Sequence, residues 1–174
     1  NHAYGQLIAL IFVPIMVLAC VGAALVLTET SNAAKAQQRH TATAILTRYE
    51  HVAQQLFYLL SQNPDRYTQA RNILQYMFIE QHLQGAMIID KNGKSYLDIG
   101  FQSEPSQIKP PQNSIFFGPV SYHHNHLYGL QISSDPANKA WLVIEMDNQP
   151  LEIARYRVMI VLIATGLLTL LLLL

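Results

Sequence analysis

The densest run of chemistry-bearing side chains is Tyr122-His123-His124-Asn125-His126. If Ser121 to Leu127 forms one extended strand, alternation puts Tyr122, His124 and His126 on one face. Two imidazoles two residues apart can hold a transition metal, and they titrate near neutrality. A metal site needs three or four ligands, and no carboxylate or cysteine stands beside the cluster, so no metal ligand is assigned. The other reading makes Asn125 a hairpin tip and the histidines solvated turn residues. Two further polar positions stand out. Tyr96 and Asp98 share a face of a β-like run. Arg71 on a predicted helix either grips a carboxylate through both guanidinium nitrogens or faces solvent.

Covalent catalysis has no local support. Serines are scattered, and the chain lacks a G-x-S-x-G elbow and a glycine-rich phosphate loop. A phosphoaccepting histidine is usually followed by an acidic residue, whereas His40 precedes Thr41, His51 precedes Val52 and His82 precedes Leu83. No catalytic residue is assigned, and no cofactor is expected on these residues.

The elements that must position the polar residues follow from charge placement. Of the 174 residues 51% are hydrophobic and only 13% charged, about half the share of a soluble domain. The 11 basic and 11 acidic residues all lie between Glu29 and Arg157. That distribution argues against a single soluble core. A formal net charge of zero argues against nucleic acid as partner, since phosphate neutralisation needs a basic surface. The one cysteine, Cys20, sits in an apolar run and excludes a disulfide framework.

Residues 5–28 are long enough to cross a hydrocarbon layer of about 30 Å and too long for the apolar core of a cleaved signal peptide. Pro14 is tolerated in a membrane helix. Residues 158–174 form the second predicted span. The closing leucines and the absence of an initial Met suggest a piece cut from a longer chain, with its output chemistry beyond Leu174. Arg155, Tyr156 and Arg157 read as interfacial anchors in contact with lipid headgroups.

Between the spans, residues 29–157 have room for one domain. Ala42, Ile45, Tyr49, Val52, Leu56 and Leu59 recur at spacings of 3, 4, 3, 4 and 3, one stripe on a long helix continuous with the first span. The stripe either packs on the domain's own sheet or forms a seam with a second subunit. Asn63-Pro64-Asp65 predicts a helix start with Asn63 as N-cap. That helix is expected over residues 64–83, burying Tyr67, Ala70, Leu74, Met77 and Phe78 and ending at Gln84-Gly85. Five β-like runs follow, at residues 86–90, 95–99, 115–124, 126–134 and 140–147. Lys91-Asn92-Gly93-Lys94 marks a hairpin, and Asn125 and Asp135-Pro136 mark turns. Residues 100–114, with Pro105, Pro110 and Pro111, read as loop. Trp141 reads as core or rim, and residues 151–157 as a helix feeding the second span. Helices grouped before an antiparallel sheet predict the α+β class.

The residues carry a resemblance. The span ending in LIFVP, the hairpin GAMIIDKNGKSYLDIG, the strand AWLVIEMD and the segment LEIARYRVMIVLIATGLL resemble the input region of membrane-bound hybrid sensor histidine kinases of the GacS/BarA group. The likeness implies an extracytoplasmic PAS-like (PDC) sensor domain in a bacterial inner membrane protein. It also implies a homodimer, a small-molecule or protein stimulus, and a cytoplasmic kinase using ATP and Mg that signals to a response regulator. Such domains hold ligands between the sheet and its loops, which makes Arg71, Tyr96, Asp98, Tyr122, His124 and His126 the expected ligand-binding residues. Chemoreceptors and membrane diguanylate cyclases share the layout, and an anchored docking protein without a ligand is the rival of a different class. Charge does not orient the domain, and Arg155 and Arg157 lean slightly against export.

Overall fold

The computed structural model describes residues 2–80, 82–101 and 108–174. Its order is α1 (His2–Gln62), α2 (Tyr67–Leu74), β1 (Leu83–Asp90), β2 (Ser95–Ile99), β3 (Phe116–Tyr122), β4 (Asn125–Ser133), β5 (Ala140–Met146) and α3 (Gln149–Leu173). The chain divides into two compact units, residues 1–36 with 149–174, and residues 37–148.

In the first unit, two helices are long and apolar enough to cross a membrane, and no residue of their most apolar windows is buried. Ile8, Ile11, Phe12 and Ile15 of α1, with Leu170 and Leu174 of the α3 end, line an apolar groove of about 400 Å³.

The second unit is α+β. Its five strands are antiparallel in the order β2-β1-β5-β4-β3. The hairpins β1–β2 and β3–β4 are local, but β1 finds its second partner in β5, pairing Ile88 with Leu142 and Ala86 with Ile144. The sheet is covered on both faces, so β5 is buried along its whole length. Ile88, Leu142 and Ile144 pack toward the helices with Ile45, Leu46 and Phe57. Their neighbours Met87, Ile89, Trp141 and Val143 pack on the other side with Ile108 and Phe117. Alternation thus divides each central strand between two cores.

Burial on α1 departs from the expected stripe. Ala42, Ile45 and Leu56 are buried, but farther along the core takes Ala53, Phe57 and Leu60. Val52 and Leu59 sit at the rim, half-buried. A helix of 3.6 residues per turn drifts by about 20° per heptad against a 3.5-residue pattern, and the drift carries those two to the edge of the core face, where Val52 still packs against the core.

The second helix is shorter than expected. Asn63 makes no side-chain cap, Pro64–Arg66 is a single 3-10 turn, and after α2 a second 3-10 stretch ends at Ile79. Met77, Ala70 and Leu74 are buried, whereas Tyr67 remains exposed. The helix stops early because Leu83 and Gly85 are drawn into pairing with Met146 and Glu145, and the His82 carbonyl accepts from the Asp147 N–H at 2.8 Å. Gln81, inside the expected helix, lies outside the described residues, as do Asn1 and residues 102–107 with Pro105.

The first hairpin forms where Asn-Gly predicted it. Asn92 does not adopt a positive φ, whereas Gly93 does at 84°. The Asp90 carboxylate accepts from the Asn92 and Lys94 N–H groups, each at 2.8 Å, so the turn is a longer loop closed on Asp90. At the same end of the sheet, where Ala140 pairs with both Asp90 and Ser133, Asp135 accepts from the Ala137 N–H at 3.2 Å, which makes the Asp135-Pro136 turn.

Candidate functional site

The second hairpin decides the fate of the histidine cluster. Tyr122 pairs with Asn125, so the loop is His123-His124 and Asn125 is the first residue of β4. His123 takes the left-handed φ of 51° that a two-residue turn asks for. The single strand over residues 121–127 therefore does not exist, and neither does an Asn125 tip. A turn between them takes Tyr122 and His126 onto different strands and leaves His124 exposed at the bend. Among the described residues no three of His, Cys, Asp and Glu are grouped to hold a metal.

His126 instead enters a polar junction at the end of the sheet nearest the start of the domain. His126 and Tyr128 are two apart on β4 and so point the same way. They meet Gln38, which lies one turn before Ala42 on α1 and is buried. The Tyr128 hydroxyl donates to Gln38 Oε1 at 2.8 Å, and His126 Nδ1 lies 2.8 Å from the same oxygen. That oxygen only accepts, so Nδ1 carries a proton in this arrangement. Gln38 Nε2 donates to the Asp147 carbonyl at 3.2 Å. One side chain therefore joins α1, β4 and the residue that follows β5. Burial pushes the Tyr128 hydroxyl above its ordinary pKa, with the nearby Arg39 cation working the other way. Arg39 stacks over the Phe116 ring at 5.3 Å.

A second polar group adjoins this junction. Asn125 Nδ2 donates to Glu145 Oε1 at 2.9 Å, and the Asn148 N–H donates to Asn125 Oδ1 at 3.3 Å. Glu145 is only 7% exposed, so its carboxylate depends on such partners. Gly85 makes room for it: a Cβ there would lie 3.2 Å from Glu145 Oε2 and 3.0 Å from the Phe101 ring.

Three of the sequence-expected residues gather at the opposite edge of the sheet. The Tyr96 ring stands edge-on to Phe57 at 5.1 Å. The Tyr67 hydroxyl donates to Asp98 Oδ1 at 3.3 Å. Burial, then the Asp98 charge, pushes the Tyr67 hydroxyl up in pKa, and Arg71 opposes this, which places Arg71 in the same electrostatic neighbourhood. Tyr122, His124 and His126 belong to the β3–β4 hairpin. Four strand spacings of about 4.8 Å separate the edge strands β2 and β3, so the six expected residues do not converge on one pocket. Tyr122 packs against Phe101 at 5.7 Å.

A further tie joins α1 to the approach to β1. Arg48 forms an ion pair with Glu80, and the Tyr49 hydroxyl donates to the same carboxylate at 3.2 Å. Burial and then Glu80 push the Tyr49 hydroxyl up in pKa. On α3, Arg155, Tyr156 and Arg157 are exposed.

Gln38, Tyr128 and Glu145 were not among the expected site residues. A signal for two of them exists. Gln38 continues the buried stripe of Ala42 and Ile45 backward by one turn, and Glu145 is the one charge in AWLVIEM. Comparison with protein-family models, with curated proteins and with solved structures finds no match to this chain.

Proposed function

We propose that the chain is the sensing and transmembrane-signalling region of a bacterial inner membrane receptor, with residues 37–148 as its extracytoplasmic head. One observation carries the reading. α1 runs without interruption from an apolar, membrane-length segment to Gln38, and Gln38 is hydrogen-bonded to Asp147, two residues before α3 begins. The two chain segments that lead toward membrane-length helices are thereby tied inside the head. A stimulus that favours one packing of β4 and β5 against α1 acts on both at once. It must bind that packing better than the alternative, because equal affinity shifts nothing.

The resemblance to GacS/BarA-type kinases supplies the rest of the proposal. The head is a PAS-like (PDC) domain, the receptor is a homodimer, and the output is a histidine kinase that uses ATP and Mg and passes phosphate to a response regulator. In this proposal the kinase belongs to other parts of the parent protein. A chemoreceptor or cyclase output would use the same head. The sequence following Leu174 in the parent gene separates them: a HAMP segment with a histidine-acid box supports the kinase, and a long uninterrupted heptad run supports a chemoreceptor. Paired cysteines along α1 and α3, cross-linked in membranes with and without stimulus, test the signalling step. A pattern that never changes in an active receptor refutes it.

A further inference from the structure

The last turns of α1 and the middle of α2 border a groove with an unusual lining. Gln55, Tyr58, Leu59 and Gln62 of α1, the following Asn63, and Ile73 of α2 line an open space of about 540 Å³. That volume falls within the range of about 300–1,000 Å³ that holds small molecules. The lining is polar but carries no charge. No Asp, Glu, Lys or Arg occurs in residues 51–64 or in residues 72–79. Asn63 makes no side-chain cap, and among the described residues the side-chain amides of Gln55, Gln62 and Asn63 have no protein partner. Tyr58 is 67% exposed.

We infer that this groove is a binding site for a neutral oligosaccharide. Val52, Gln55, Leu59 and Gln62 follow one another at spacings of 3, 4 and 3, so they lie in one row along about 15 Å of helix. Amide and apolar side chains alternate in that row. A sugar chain has the matching alternation, with apolar C–H ring faces bordered by hydroxyls that both donate and accept. A carboxamide also donates and accepts, and a tyrosine offers an apolar ring face with a polar tip. A charged ligand finds no counter-charge here, and a wholly apolar one sets carbon against the amides. Four of the nine lining residues are carboxamides, more than the apolar and aromatic centre of a protein interface carries.

The openness of the groove sets the strength. Much of a bound chain stays in water, and each amide exchanges a hydrogen bond to water for one to a hydroxyl, with a small net gain. Affinity is therefore low. The Tyr58 ring contributes most, because it is the largest apolar surface that a sugar ring can cover here. The inference stands on the groove alone and holds whether or not the long helices cross a membrane.

The test titrates the whole chain, in lipid nanodiscs free of sugar-headed detergent, with maltopentaose, cellopentaose and laminaripentaose. These are neutral glucose pentamers of different linkage. Should the chain stay dissolved without lipid, the same titration is run in buffer. Saturation-transfer NMR reads contact with the sugar, and calorimetry reads affinity. At least one pentamer is expected to bind, and the galacturonic acid pentamer, which is charged, roughly tenfold more weakly. Tyr58→Ala, and Gln55→Ala combined with Gln62→Ala, should each lower affinity roughly tenfold. Tyr58→Phe keeps the ring face and should bind nearly as the parent does, as should Thr43→Ala away from the groove. All four residues are exposed, so the thermal midpoint should hold in every variant. Failure of all three neutral pentamers to bind, or binding unmoved by Tyr58→Ala, overturns the inference. So does equal binding of the charged pentamer, or a groove that Tyr58 cross-linking in membranes finds covered by protein.

Discussion

Gln38 and Asp147, 109 residues apart in sequence, are joined by a hydrogen bond of 3.2 Å from the Gln38 side-chain amide to the Asp147 carbonyl. The same glutamine accepts from Tyr128 and binds His126, so a single amide holds the first and last segments of the domain to β4.

Replacing Gln38 with Met keeps the side-chain length and removes every polar contact. The Tyr128 hydroxyl, on a residue with no exposed surface, then loses its acceptor, a loss of about 1–3 kcal/mol for a buried polar group. We expect Gln38→Met to destabilise the head by about 2–3 kcal/mol in chemical denaturation, and Tyr128→Phe by about 1 kcal/mol. Equal, negligible effects would show that the junction contributes nothing to the fold.

The Tyr128 hydroxyl has its pKa raised by burial. A raised tyrosine pKa favours the folded state's neutral phenol. The unfolded chain ionises first, near pH 10, and stability falls as pH climbs from there through the folded value. Tyr49 and Tyr67 are raised in the same sense. Stability should be flat with respect to these groups below about pH 9 and should drop above pH 10. In Tyr128→Phe the alkaline slope should be shallower than in the parent, as read from denaturation midpoints at a series of pH values.

The hairpins were legible because their signals are local. Asn92-Gly93 and Asp135-Pro136 mark turns by the backbone freedom and hydrogen bonding of the residues themselves. The pairing of β1 with β5 was not legible, since strands more than 40 residues apart leave no mark in a local period. That pairing also shortened the second helix, by claiming Leu83 and Gly85. The histidine hairpin hid for another reason: His123 in a left-handed turn has no glycine to announce it. The expected pocket residues failed to converge because face alternation says which side of a strand a residue takes but nothing about strand order. Gln38 stands among polar neighbours, Gln37 and Arg39, although it is in phase with Ala42 and Ile45.

Gly129 lies opposite Phe117 on the neighbouring strand, and a Cβ on it would overlap the Phe117 ring. Phe117 belongs to the second core and is only 8% exposed, so it has little room to retreat. Gly129→Ala should therefore cost about 2–3 kcal/mol as overpacking. Pairing it with Phe117→Leu should restore part of the loss, as a double-mutant cycle would read.

Leu46 and Leu59 are the same residue on the same helix in opposite circumstances. Leu46 has no exposed surface and packs in the helix-side core, whereas Leu59 stands at the rim. Leu46→Ala should cost about 3 kcal/mol, and Leu59→Ala less than about 1 kcal/mol in the isolated head.

Between Pro14 and Gln62, α1 contains no proline, no kink-forming bulge and one glycine, Gly22. Within residues 37–62 the helix therefore offers no hinge, and a displacement at Gln38 would be passed to Ala42 and Ile45 through the backbone hydrogen bonds of one continuous helix.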